Sequence, residues 1–227
     1  MKYFIQNPQL EAIIKEIRKK IRLSMNGVVA DKMKESGIRY KQNFGVDIPR
    51  LKQIAAEYSQ NHDLAQRLWT LQIRETMILA TLLQPVDKFT PEMAEEWLSK
   101  LLQPEIVEQT SMNLLAKLPY AVSLSLRWVN STELWNQITG FILAARVWND
   151  FDDSEREKII HRAIELSDTA EYHLYKSIAL ALCRLARVSS RVAEQLLQRI
   201  SFMKNAGISS HAYIYSEVSR EISFLDF

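Results

Sequence analysis

Arg184, Arg187 and Arg191 are spaced three and four apart, so a single helix through them would carry a cationic stripe on one face. Guanidinium groups at that spacing suit a row of phosphates, and a solvated face is the alternative. A second basic run, "KEIRKKIR" at residues 15–22, has Ile13, Ile14, Ile17 and Ile21 on its opposite side. That pattern is a strongly amphipathic helix that docks through its isoleucines, and a membrane surface is its minor alternative. Arg74 and Glu75 sit side by side within "LWTLQIRETMILATLL". They either face a groove as its polar strip, or each caps or pairs with a different neighbouring helix. The one cysteine, Cys183, lies in "SIALALCRLA" and reads as a small buried hydrophobe rather than a nucleophile. His62, His161, His173 and His211 have no metal-ligand spacing, no glycine-rich phosphate loop occurs, and neither metal nor cofactor is expected.

The charge distribution says more than its total. Of 29 Lys/Arg and 27 Asp/Glu, residues 1–60 hold 12 basic and 6 acidic groups. Residues 84–108 hold six acidic and two basic groups, and 184–204 five basic and one acidic. Patches of both signs are expected. A lone cysteine excludes an intramolecular disulfide framework and any cysteine-based zinc cluster. "MKYFIQNPQL" lacks the apolar core of a signal peptide, and no apolar run is long enough to cross a bilayer. A reducing, cytoplasmic setting and a monomer are expected.

Apolar residues three or four apart recur throughout, and no alternating stretch bounded by hairpin signals competes with them. The spacing predicts helices over 8–25, 28–36, 49–59, 61–69, 71–83, 90–102, 104–116, 119–128, 131–147, 153–166, 169–187 and 190–204. Several starts are physically legible: Asp47 ahead of Pro49, Thr90 as N-cap to Pro91, and Asp153 or Ser154 before glutamates. Short connections force sequential helices to pack antiparallel, and their number exceeds a four-helix bundle. The expected fold is all-α, an α-α superhelix (solenoid) of tandem HEAT/ARM-like repeats. It is expected as one domain over 1–227, with 1–25 an accessory helix and 206–227 a terminal cap or contact surface. Trp69, Trp97, Trp128, Trp135 and Trp148 lie among aliphatic residues and are expected in the core.

Residues 44–83, "FGVDIPRLKQIAAEYSQNHDLAQRLWTLQIRETMILATLL", with the "EEWLSKL" and "TGFILAA" segments, resemble the DNA alkylation repair family of HEAT-like-repeat glycosylases, the AlkD-like proteins. The likeness runs from about residue 10 to 205. It implies a concave basic face that holds duplex or damaged DNA. It also implies hydrolytic release of N3- or N7-alkylated purines without base flipping. A carboxylate and two tryptophans would stabilise the charged sugar while an arginine grips the backbone.

The resemblance maps those four groups onto this chain. In "QPEIVEQT", Glu108 falls on the family's aspartate and Pro104 replaces the first tryptophan. Ile138, in "NQITGFILA", replaces the arginine. Leu180, opening "LALCRLAR", replaces the second tryptophan; Trp135 and Trp148 flank the segment that lost the arginine. Neither proline nor leucine offers a ring face to a cation, and isoleucine cannot hold a phosphate. Lys176 and Arg187 fall on basic positions of the family pattern, joining Arg184 and Arg191 as candidate DNA contacts. The expectation is a DNA-binding protein with weak or no excision. Two alternatives stand beside it: a helical scaffold for a protein partner, and an active alkylpurine glycosylase using Glu108, which is otherwise an ordinary helix carboxylate.

Overall fold

Proline and short polar caps start the helices. Asp47 accepts from the Arg50 amide at 2.7 Å and Pro49 follows in the first turn. Thr90 Oγ1 accepts from the Met93 amide at 3.3 Å with Pro91 opening the helix. At the third expected start the cap is Asp152, one residue earlier than expected. Its side chain accepts from the Glu155 amide while Glu155 accepts from the Asp152 amide, a reciprocal box that fixes the first turn.

The structure is a computed structural model and describes residues 5–226. Its helices are α1 (Pro8–Leu23), α2 (Gly27–Glu35), α3 (Ile48–Ala56), α4 (His62–Thr70), α5 (Arg74–Leu83), α6 (Pro91–Leu98), α7 (Pro104–Asn113), α8 (Ala121–Val129), α9 (Leu134–Arg146), α10 (Asp153–Glu165), α11 (Tyr172–Ala186), α12 (Ser190–Ile200) and α13 (Ser209–Ser223). Short 3-10 turns join some of them, and the one β contact among the described residues is an isolated bridge between Gln42 and Ile73. The all-helical class expected from the periodicity is what the chain adopts. The described residues form two compact units that meet in the chain between Ala94 and Glu95.

In the first unit α1 buries Leu10, Ile14, Ile17 and Ile21, the spacing of its apolar stripe, against α3 and α4. Lys20 fastens the same helix, donating to Glu57 at 2.6 Å and Tyr58 at 2.9 Å. Helix α5 is buried on nearly every side, from Arg74 to Leu83, with α3 and α4 packed against it. Its first two residues hold the preceding loop. Glu75 Oε1 accepts from the amides of Phe44 (3.1 Å) and Val46 (3.3 Å), and Arg74 Nη1 donates to the Val46 carbonyl at 2.7 Å. The charges therefore serve a single loop, correcting the expectation of two separate helical partners. They are not on a groove either. The loop can lie this close because residue 45 is glycine: its φ is +68°, and an added Cβ would stand 2.1 Å from the Asn26 carbonyl oxygen.

The second unit is a run of packed pairs, α8 on α9, α9 on α11, α11 on α13, with α7 against α9 and α12 against both α11 and α13. Gly140 sets the α8–α9 approach, since a Cβ there would lie 2.6 Å from the Val129 nitrogen. Trp97 and Trp128 are core residues, and Trp128 Nε1 donates to Glu95 Oε1 at 3.0 Å, so a buried ring keeps its polar edge satisfied. Trp69 is likewise buried in the first unit, whereas Trp135 and Trp148 are only half-buried.

Candidate nucleic-acid interface

Four helices of the second unit supply the walls of one groove of about 400 Å³. Helix α7 contributes Pro104 and Glu108, one turn apart on the same face. Helix α9 contributes Ile138 and Ile142, helix α11 Tyr172, His173, Lys176, Leu180, Cys183 and Arg184, and helix α13 Tyr213, Glu217 and Glu221. Every position that the resemblance assigned to family chemistry therefore lines the same groove. Ile138 is buried at its base, Pro104 and Leu180 are half-buried, and Glu108 is exposed at its edge.

The cations divide differently. Arg184 is half-buried in the groove and pairs with no carboxylate among the described residues. Lys176 Nζ lies 5.6 Å from the centroid of the Tyr172 ring. Arg187 is spent: its Nε donates to Glu221 Oε1 at 2.5 Å and Nη2 pairs with the same oxygen. Arg191 lies elsewhere, lining a cleft of α10 and α12 with Arg156 and Arg199. The expected stripe of three is thus broken, because α11 ends at Ala186 and Arg191 belongs to the next helix. Arg156 and Arg199 are themselves paired, with Asp153 and Glu157 at 2.5 and 2.6 Å.

The groove's electrostatics are mixed. Glu217 pairs with Arg220 at 2.6 Å, as Glu221 does with Arg187, leaving Glu108, Lys176 and Arg184 as its unneutralised charges. Burial pushes the Cys183 thiol up to about 12, and the nearby carboxylates of Glu221 and Glu217 add to that shift. A thiol so held is a neutral part of the wall and reacts only slowly as a nucleophile. Burial also raises the Tyr213 phenol, reinforced by Glu217.

Rings gather along one side. Tyr175 meets Tyr172 edge-on at 5.4 Å and Tyr213 at 5.2 Å, and His173 lies 5.4 Å from Tyr172 and 5.8 Å from Trp135. Helix α13 lies in the segment expected as a terminal cap or contact surface, and the sequence reading assigns none of its residues to the site. Its signal was present: Ile214 and Val218 recur at helical spacing, and Glu217 and Glu221 are one turn apart. Among the described residues no group of histidine, cysteine and carboxylate side chains is placed to hold a metal ion. No helix among them is long and apolar enough to cross a membrane.

Comparisons with known proteins agree with this architecture. One solved structure, described as "a new family of proteins related to the HEAT-like repeat DNA glycosylases with affinity for branched DNA structures", superposes with a TM-score of 0.76. Its sequence is 14% identical, and the match covers 91% of this chain and 94% of that one. A designed armadillo repeat protein in complex with a (KR)4 peptide matches more distantly, with a TM-score of 0.45 and 13% identity over 96% of this chain and 95% of that one. A search of the curated proteins finds no match. The family model described as "DNA alkylation repair enzyme" matches residues 17–212, across both compact units, and the chain belongs to that family.

Proposed function

We propose that this protein binds DNA on the face where the Glu108–Leu180 groove opens, and that it excises alkylated bases weakly or not at all. The observation that carries the reading is what the groove offers a reacting sugar. It provides one exposed carboxylate, Glu108, beside Pro104, Ile138 and Leu180. Breaking an N-glycosidic bond builds positive charge on the sugar, and preorganised groups must meet it. Where the resemblance implies two rings and a phosphate clamp, this groove has aliphatic side chains. Each lost electrostatic contact costs about 3 kcal/mol of barrier, and one carboxylate does not make up three.

Binding makes smaller demands. Arg184 and Lys176 are available to phosphate, and family membership supports DNA as the ligand. The affinity for branched DNA described for the structural neighbour supports a branch point, rather than an alkylated base, as the target to test. The experiment is to titrate the protein with a three-way DNA junction and with a linear duplex at two salt concentrations. Tighter binding to the junction, weakening with salt, is expected. Absence of binding at low salt, or binding indifferent to salt, overturns the reading. Incubation with duplex containing 7-methylguanine tests the second half: release of base that Glu108→Gln abolishes would restore the enzyme reading.

One observation favours a protein partner instead. The unpaired Glu108 carboxylate stands at the edge of a largely aliphatic groove, which suits a basic peptide segment. Competition separates the two, because a lysine–arginine peptide that displaces DNA at equal concentration places the peptide there.

A further inference from the structure

The groove's walls sort by chemistry. Its floor is aliphatic, from Ile138, Ile142 and Leu180. Along one side stand Tyr172 and Tyr213, both braced by the Tyr175 ring packed between α11 and α13. Of the polar groups, most are already engaged. The Ser177 hydroxyl donates to the Leu174 carbonyl at 2.7 Å, Glu217 and Glu221 are paired with arginines, and the Cys183 thiol stays protonated. The charged groups left to meet a ligand are the Glu108 carboxylate, the Lys176 ammonium and the Arg184 guanidinium, beside the His173 imidazole and the Tyr172 and Tyr213 hydroxyls.

Two cations and one carboxylate around an aliphatic, ring-edged cavity complement a nucleotide. Phosphate suits the cations, the faces of a base suit the floor and rings, and the base edge donates N–H groups to the carboxylate. A cavity of about 400 Å³ lies within the range of small-ligand sites and has the usual mix of apolar lining and few polar groups. A base inside a duplex has its donor edge occupied by its partner and its faces by its neighbours, so the occupant has to be unpaired.

We infer that this groove holds one unpaired nucleotide, its base against Ile138, Ile142 and Leu180, its donor edge on Glu108 and its phosphate on Lys176 and Arg184. The inference rests on the DNA-binding reading and adds where a branch point is recognised. Guanine, with two adjacent edge donors, is preferred over thymine, which has one.

The test uses the full chain and a three-way junction carrying one unpaired nucleotide at the branch. With 2-aminopurine there, saturation with protein changes its fluorescence, whereas 2-aminopurine paired within an arm is unaffected. Leu180→Trp, which fills the cavity with a ring, abolishes that change. Replacing the unpaired base with guanine binds ~5-fold tighter than with thymine, and Glu108→Gln removes the preference. A second measurement does not depend on a variant. The unpaired-guanine junction slows modification of Cys183 by methyl methanethiolsulfonate, and paired duplex does not.

Junction binding with the same fluorescence change in Leu180→Trp, or equal protection by paired duplex, overturns the inference and leaves the DNA-binding reading intact. If no DNA binds, the DNA-binding reading fails, and free dGMP decides the site. Protection of Cys183 by millimolar dGMP, lost in Glu108→Gln, supports a nucleotide site that is independent of DNA. No protection overturns the inference as well.

Discussion

Arg74 and Glu75, consecutive in the chain, are both withdrawn from water, with Nη1 3.0 Å from Oε1 and side-chain exposures of 4% and 0%. Neighbours on a helix usually diverge by about 100°. These two converge because Arg74 opens α5, and both reach back to the loop holding Phe44 and Val46. Removing one partner strands the other charge in the core. Glu75→Ala is expected to destabilise the protein by about 3–5 kcal/mol, read from the urea midpoint. Replacing both with apolar residues of similar volume costs less than the sum of the single changes, which a double-mutant cycle measures.

Two glycines are expected to be intolerant for different reasons. Gly45→Ala forces a Cβ into the Asn26 carbonyl and also strains a φ of +68°. Gly140→Ala meets the backbone of Val129 at 2.6 Å and has to push α8 off α9. Each costs about 1–3 kcal/mol by overpacking, with Gly45→Ala the larger because strain adds to the clash. Thermal melting of both variants checks the order.

DNA affinity is expected to separate the arginines. Arg184→Ala removes an unpaired cation and lowers the log–log salt slope by about 0.9. Arg187→Ala, whose charge Glu221 already offsets, changes the slope less. Glu221→Gln works the other way, freeing Arg187 and tightening binding. Fluorescence anisotropy across a salt series reads all three.

Cys183 is expected to resist alkylation. With its thiol held up to about 12 instead of 9.0, the thiolate fraction at pH 8 falls roughly a thousandfold. In the native protein the iodoacetamide rate climbs with pH without levelling below pH 11, whereas in urea it levels near pH 9. The sign is set by burial and by Glu221 and Glu217, all of which favour the proton.

Much of this was legible from local chemistry. Pro49 and Pro91 marked first turns that form where expected, and the Ile14–Ile17–Ile21 stripe buries as its spacing requires. What escaped were relationships between distant elements. Asp152 caps α10 where Asp153 or Ser154 fitted equally well by composition, because only backbone geometry selects the residue whose side chain turns back. Arg184 and Arg191 look like one stripe until α11 stops at Ala186, with Arg187 as its C-cap. The Glu221 carboxylate that neutralises Arg187 lies 34 residues away, and no helical spacing reaches that far. The gathering of Pro104, Glu108, Ile138 and Leu180 around one groove was implied by resemblance alone. Seventy-six residues separate its first and last members, and only the packing of α7, α9 and α11 closes that distance.

On the proposed DNA-binding reading, the paired carboxylates of α13 bear on how the groove would choose. In the proposed binding mode a phosphate that approaches Arg184 meets a wall where Glu217 and Glu221 already hold Arg220 and Arg187, so the attraction that α13 adds for an ordinary stretch of double helix is weak. Strong uniform attraction would leave the protein scattered along a chromosome, since every phosphate pair would be as good as the next. A muted field removes that background, and discrimination passes to features a continuous helix lacks. On the DNA-binding reading proposed above, α13 would act as a filter, giving up grip everywhere so that residence is decided by the shape of the nucleic acid.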